Sequence, residues 1–135
     1  MLPNALLPPS VQILVLPDLG AAGGHARLSP DAPGEKLREL GHDVIVHVAC
    51  RDRNRNAMQS LGWNLLSRGL NSVLALTGDY PAGGWEGGPR PVFDIDSVTL
   101  LALLRTLGEE AVAKAITDGA PDPDTNRFWL GCAID

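Results

Sequence analysis

Hydrophobic residues along this chain gather into four short, nearly continuous runs, and between the runs they recur every three or four positions. The runs are residues 11–16 (VQILVL), 44–48 (VIVHV), 73–76 (VLAL) and 128–134 (FWLGCAI). They have strand length and are partly β-branched or aromatic. Strict alternation would mark a strand with one wet face, whereas continuous runs suit strands covered on both faces, as in parallel sheets. Residues 36–40 form a short helical stretch that ends at Gly41, the residue type that favours helix termini. Residues 56–68 place Met58, Leu61, Leu65 and Leu66 on one helical face, and Gly69 follows as a stop signal. A third helix is predicted from a cap at Asp96 or Ser97 to Leu107, with Val98, Leu101 and Leu104 inward. A fourth, over residues 109–118, carries two acids in its first turn and ends before Gly119.

The predicted order is β-α-β-α-β-α-α-β. Strands alternating with helices point to right-handed βαβ units and a parallel sheet. The open doubly wound sheet and the (β/α)₈ barrel both use that repeat. A dinucleotide-binding open sheet is expected to show GxGxxG after its first strand. Here PDLGAAGGHARLS follows, and Gly20, Gly23 and Gly24 do not fit the spacing. A full barrel needs about 250 residues, so a chain of 135 residues holds roughly half of one.

Composition narrows the function classes. Hydrophobic residues make up 44% and charged residues 20%, the balance of a soluble globular protein. A net charge of -5 argues against nucleic acid or an anionic membrane as partner. No Lys or Arg precedes Arg27, so a signal peptide would lack its basic start. No apolar run reaches membrane-spanning length, and the expected location is the cytoplasm. Cys50 and Cys132 form no CxxC or metal-ligand cluster, so both read as buried thiols of a reducing compartment. His25 and His42 are isolated and expected at the surface. No zinc site and no Ser-His-Asp triad is visible.

In either fold, chemistry sits where strands end and loops begin. Three such junctions are informative: H-V-A-C-R-D-R-N at residues 47–54, L-T-G-D-Y-P at 76–81, and F-D-I-D-S at 93–97. Asp79 leaves a buried strand directly after Gly78, whose missing side chain lets backbone N–H groups approach a ring or phosphate. Alternatively, it is a turn residue bonding its own backbone before Pro81. His47 lies within its strand, on the face shared with Ile45 and Ala49, and a core histidine donating to a backbone carbonyl is the plain alternative. Arg51, Arg53 and Arg55 alternate with Asp52 and Asn54. They would meet a phosphate or an anionic tail, or form a solvated, self-neutralising loop. The glycine-rich stretch 81–91 (PAGGWEGGPRP) has the length of a lid, with Trp85 at its tip.

Together these junctions, in this order, resemble the methylenetetrahydrofolate reductase family, from about Leu16 onward. The version with C-R-D-R-N and V-F-D-x-D-S looks like the branch fused to homocysteine methyltransferases. The resemblance implies about half of a TIM barrel, a single partial FAD-binding domain over residues 1–135. It also implies FAD as cofactor, NAD(P)H as reductant and a folate as substrate, in one-carbon and methionine metabolism. Asp79 is implied as the catalytic carboxylate beside the flavin, where its charge would tune the ring. His47, Thr77, Gly78, Asp79, Phe93, Asp94, Gly131 and Ala133 are the implied cofactor contacts, with ordinary packing as the alternative for Phe93, Asp94, Gly131 and Ala133. Thr77 stands where many relatives have Arg; it offers one hydroxyl in place of a bidentate clamp.

The family's general acid is a strand glutamate in an E-x-x-P-P pattern. Here Ala5-Leu6-Leu7-Pro8-Pro9 imitates it without the acid, and the glutamates at 35, 39, 86, 109 and 110 all fall outside the predicted strands. Two readings follow: a flavin-dependent reductase incomplete as a single chain, or a non-catalytic truncated relative that binds flavin or pterin weakly. A half-barrel leaves open edges, so self-association or a complementary chain supplying strands is expected. An unrelated α/β nucleotide-binding module is the weaker third reading.

Overall fold

Strands β1 (Ile13–Leu16), β2 (Asp43–Ala49), β3 (Ser72–Leu76) and β4 (Trp129–Cys132) lie side by side in chain order, every neighbouring pair parallel. The computed structural model describes residues 13–16, 28–80 and 90–133. Val11, Trp85 with most of the glycine-rich stretch, and the Ala5–Pro9 imitation lie outside those residues. Each crossover carries a helix: α1 (Asp31–Glu39), α2 (Arg55–Ser67) and α3 (Ser97–Thr117). A short 3₁₀ turn at Pro123–Asn126 leads into β4.

The side chains of β2 and β3 divide by face. Val44, Val46, Val48, Val73 and Ala75 are buried in one cluster with Met58, Leu61 and Leu65 of α2 and Leu100, Leu104 and Leu107 of α3. Leu37 of α1 packs on the same cluster. The other face carries Ile45, His47, Ala49, Leu74 and Leu76, all half-buried. Sequential strand order with the helices on one face is a singly wound sheet, which is a sector of a (β/α)₈ barrel and not a doubly wound sheet. Burying each of those leucines contributes about 1.5–3 kcal/mol. The helices also meet closely: a Cβ on Gly62 would lie 2.6 Å from Leu107 Cδ1.

Four expectations need correction. The two C-terminal helices are one, because α3 runs unbroken for 21 residues through Gly108. That glycine is buried, and a Cβ there would stand 3.2 Å from the Phe128 backbone nitrogen. Its role is therefore close approach to the β4 entry, not helix termination. Val98, expected inward, is 71% exposed, and the buried stripe is Leu100, Leu104, Leu107 and Val112. Cys132 is exposed, unlike Cys50, because it ends β4, an edge strand among the described residues.

The first helix also starts earlier than its pattern implied, at Asp31. Pro33 is tolerated in the first turn, where its missing N–H would have no helical partner. Arg68 binds Glu35 and lies 3.9 Å from Asp31, while Asn64 donates to Asp31 at 2.5 Å. These contacts tie α1 to the end of α2. Burial works to raise the Asp31 carboxyl, but hydrogen bonds from Ser29, Asn64 and the Ala32 backbone outweigh it and hold it below the ordinary value.

Candidate functional site

Parallel pairing brings the C-terminal ends of all four strands to one edge. There the Cys50 N–H is shared between the carbonyls of Leu76 at 3.0 Å and Thr77 at 3.2 Å, joining the ends of β2 and β3. Gly78 turns the chain at φ 91°, and a Cβ on it would sit 3.4 Å from both Ala49 Cβ and Arg51 Cβ. Only glycine takes that backbone without strain while lying over the end of β2.

The loop before α3 is pinned to this edge at several points. The Val92 N–H donates to the Arg51 carbonyl at 2.6 Å. Asp94 Oδ2 accepts from the Arg55 N–H at 2.8 Å, capping α2 together with Asn54, whose Oδ1 accepts from the Ala57 N–H at 2.9 Å. Asp96 caps α3 by accepting from the Thr99 N–H at 2.8 Å. Thr77 Oγ1 accepts from the Ser97 N–H at 3.2 Å. Phe93, between the anchors at Val92 and Asp94, is held at φ 39°, a left-handed conformation that costs a non-glycine residue about 1–3 kcal/mol.

A cleft of about 540 Å³ opens at this edge. Thr77, Gly78 and Tyr80 wall one side; Phe93, Asp94, Ile95, Asp96 and Thr99 wall the other. The Tyr80 and Phe93 rings lie 6.0 Å apart, tilted by 31°. The charged groups on the walls are carboxylates, Asp94 and Asp96. The Thr99 backbone N–H, reinforced by its side chain, holds the Asp96 carboxyl below its usual range. Burial, assisted by the Asp96 charge, pushes the Cys50 thiol up to about 11.

Four of the predicted contacts, Thr77, Gly78, Phe93 and Asp94, therefore meet at one cleft. Asp79, expected to be the catalytic carboxylate, is exposed and does not line the cleft, although its sequence neighbours Gly78 and Tyr80 do. His47 and Gly131 lie elsewhere, flanking Leu74 in register on the face away from the helices. Ala133 is exposed one residue beyond β4. Arg51, offered as a phosphate ligand, is buried and holds its neighbour Asp52 through two hydrogen bonds at 2.9 and 2.8 Å. His42 is half-buried and lines a surface cleft with Arg38 and Asp43. Tyr80, Ile95, Asp96 and Thr99 are wall residues outside the predicted contacts; for Tyr80, an aromatic directly after a strand-ending Gly-Asp was the available signal.

A larger cleft of about 650 Å³ lies at the opposite edge, between Glu35, Arg38, Arg68, Asp124 and Trp129. It holds none of the predicted residues. Parallel α/β folds place their ligands at the carboxyl ends of the strands, so the smaller cleft is the candidate site.

A family model described as methylenetetrahydrofolate reductase matches residues 15–115, from β1 through nearly all of α3. The match does not reach Gly131 or Ala133. No curated protein and no solved structure gives a match.

Proposed function

The chain belongs to the methylenetetrahydrofolate reductase family, and from that premise we propose that it forms the ring-binding part of a flavin-dependent reductase acting on 5,10-methylenetetrahydrofolate. The observation that carries this reading is the cleft at the end of β3, where Thr77, Gly78, Phe93 and Asp94 meet. Its volume of about 540 Å³ falls within the range of small-molecule sites, about 300–1,000 Å³. The walls suit a planar ring, with two aromatic side chains, a glycine and carboxylates for ring N–H groups. They suit phosphates poorly, since among the described residues the walls carry no Lys or Arg.

The chemistry that a bound FAD would supply is passage of a hydride from NAD(P)H to the folate's methylene carbon, which gives 5-methyltetrahydrofolate once that carbon's bond to N10 is broken and N10 takes up a proton. This chain's own part is binding and orientation. Gly78 opens the approach to the β3 end, and Asp79, the residue after it, would bring a carboxylate beside the cleft. Asp94 and Asp96 hold fixed positions because helix N–H groups bind them. His47 faces the interior of the barrel sector from the middle of β2. The edges β1 and β4 would be completed by further strands, from this protein or from a complementary chain.

A second reading, a ring-binding member that does not reduce folate, rests on two observations. The described strands carry no glutamate: Glu35 and Glu39 lie on α1, Glu109 and Glu110 on α3. The Thr77 hydroxyl, at the position where an arginine clamp is expected, already serves α3. Loss of one general acid typically lowers a rate about 10²–10⁴-fold.

The test is to add FAD to the purified chain and follow the flavin band at about 450 nm. A shifted, structured band that weakens in Asp79→Asn supports the reading. A spectrum identical to free FAD at high protein concentration removes it. With flavin bound, NAD(P)H-dependent folate reduction separates the first reading from the second.

A further inference from the structure

We propose that Tyr80, working with Phe93, is a stacking platform for the planar heteroaromatic ring that the cleft receives. This rests on the ring-binding reading above and assigns the contact surface to a residue outside the predicted set. Tyr80 immediately follows the Gly78–Asp79 turn, and the residue is 74% exposed. An aromatic ring left that open against a cleft keeps its apolar face available, and stacking on a ligand would cover it.

Phe93 supplies the second half of the platform. Its backbone is held in a region where glycine is usual, at φ 39°, and its ring is half-buried. Anchors on both sides maintain that conformation: Val92 on the Arg51 carbonyl and Asp94 on the Arg55 N–H. The two rings lie 6.0 Å apart at 31°, inside the spacing of interacting aromatic pairs. Both residues line the cleft, so a ring entering it would meet this aromatic pair. The carboxylates of Asp94 and Asp96 on the same cleft match ring N–H donors and repel phosphates. Flavins and pterins share that chemistry: a flat ring with N–H donors.

The test uses equilibrium dialysis of the full chain with FAD and, in a separate arm, with folic acid. Wild type, Tyr80→Leu and Tyr80→Phe are compared, with circular dichroism confirming that each folds. Tyr80→Leu is expected to weaken retention of at least one ring by about ten-fold, while Tyr80→Phe stays within about two-fold. The bound ring's fluorescence is expected to be dim in wild type and brighter in Tyr80→Phe, because the electron-rich phenol quenches a ring stacked on it. The arm that responds identifies the ring. A retained ring with Tyr80→Leu unchanged overturns the platform alone. Equal loss in the Leu and Phe variants overturns stacking and makes the phenol hydroxyl the contact. Retention of neither ring by wild type overturns both the platform and the ring-binding function.

Discussion

Thr77, just past the end of β3, is stapled to Ser97, the first residue of α3: its Oγ1 accepts from the Ser97 N–H and donates to Ser97 Oγ, both at 3.2 Å. One short side chain thus links a strand end to the helix that follows it and sets the spacing of the two cleft walls. An arginine there would have to leave the Ser97 N–H to water.

Thr77→Val is expected to destabilise the fold by about 1 kcal/mol, the usual cost of losing a side-chain cap. Thr77→Ser, which keeps the hydroxyl, is expected to cost clearly less. Urea unfolding of the two variants measures the difference, and equal stabilities would remove the staple's significance.

Gly108→Ala tests the close approach of α3 to the β4 entry. Alanine in a helix interior gains about 1 kcal/mol over glycine. Here its Cβ would meet the Phe128 nitrogen at 3.2 Å and Cδ2 at 3.4 Å, and overpacking costs about 1–3 kcal/mol. Backbone cannot swing aside, so net destabilisation is expected in thermal or chemical unfolding. A stabilised variant would show that this packing is loose.

The two thiols should differ in reactivity. Cys132 is exposed and Cys50 fully buried, so Ellman's reagent should label one thiol rapidly and the second only on unfolding. The pH dependence follows. With the folded Cys50 thiol raised from 9.0 to about 11, its contribution is fully present below pH 9, where both states hold the proton. As pH rises from 9 through 11 the unfolded state ionises first, so stability falls. Cys50→Ala should flatten that alkaline decline, and an unchanged slope would assign it to other groups.

Asp31 predicts the opposite limb. Its folded carboxyl lies below the ordinary 3.8, so its contribution is present above pH 3.8 and is lost as pH falls through the lower folded value. Asp31→Asn should shallow the acid limb of an unfolding curve. An acid limb as steep as that of wild type would show that the contacts to Asn64 and Arg68 do not survive in solution.

Much of the architecture was legible because hydrophobic spacing is a local property. The four runs became four strands, and Met58, Leu61 and Leu65 became the buried face of α2. The Asp96 cap was readable for the same reason, since its partner Thr99 is three residues away. The family was readable through junction motifs that each span a few residues, and the family match over residues 15–115 agrees. Misreadings arose where a local signal met a distant partner. The pattern divided the C-terminal helix between Leu107 and Glu109, yet Phe128 lies against Gly108 and the helix runs through it.

Local patterning thus specified strand, helix and rim, because periodicity and turn chemistry act over a few residues. The composition of the cleft came from contacts across long separations: Asp94 on Arg55 thirty-nine positions away, and Thr77 on Ser97 twenty away. A carboxylate or hydroxyl in a strand-end motif can face a ligand or cap a helix with equal chemical ease. Which of these it does depends on which N–H the folded chain brings within 3 Å or so of its oxygen.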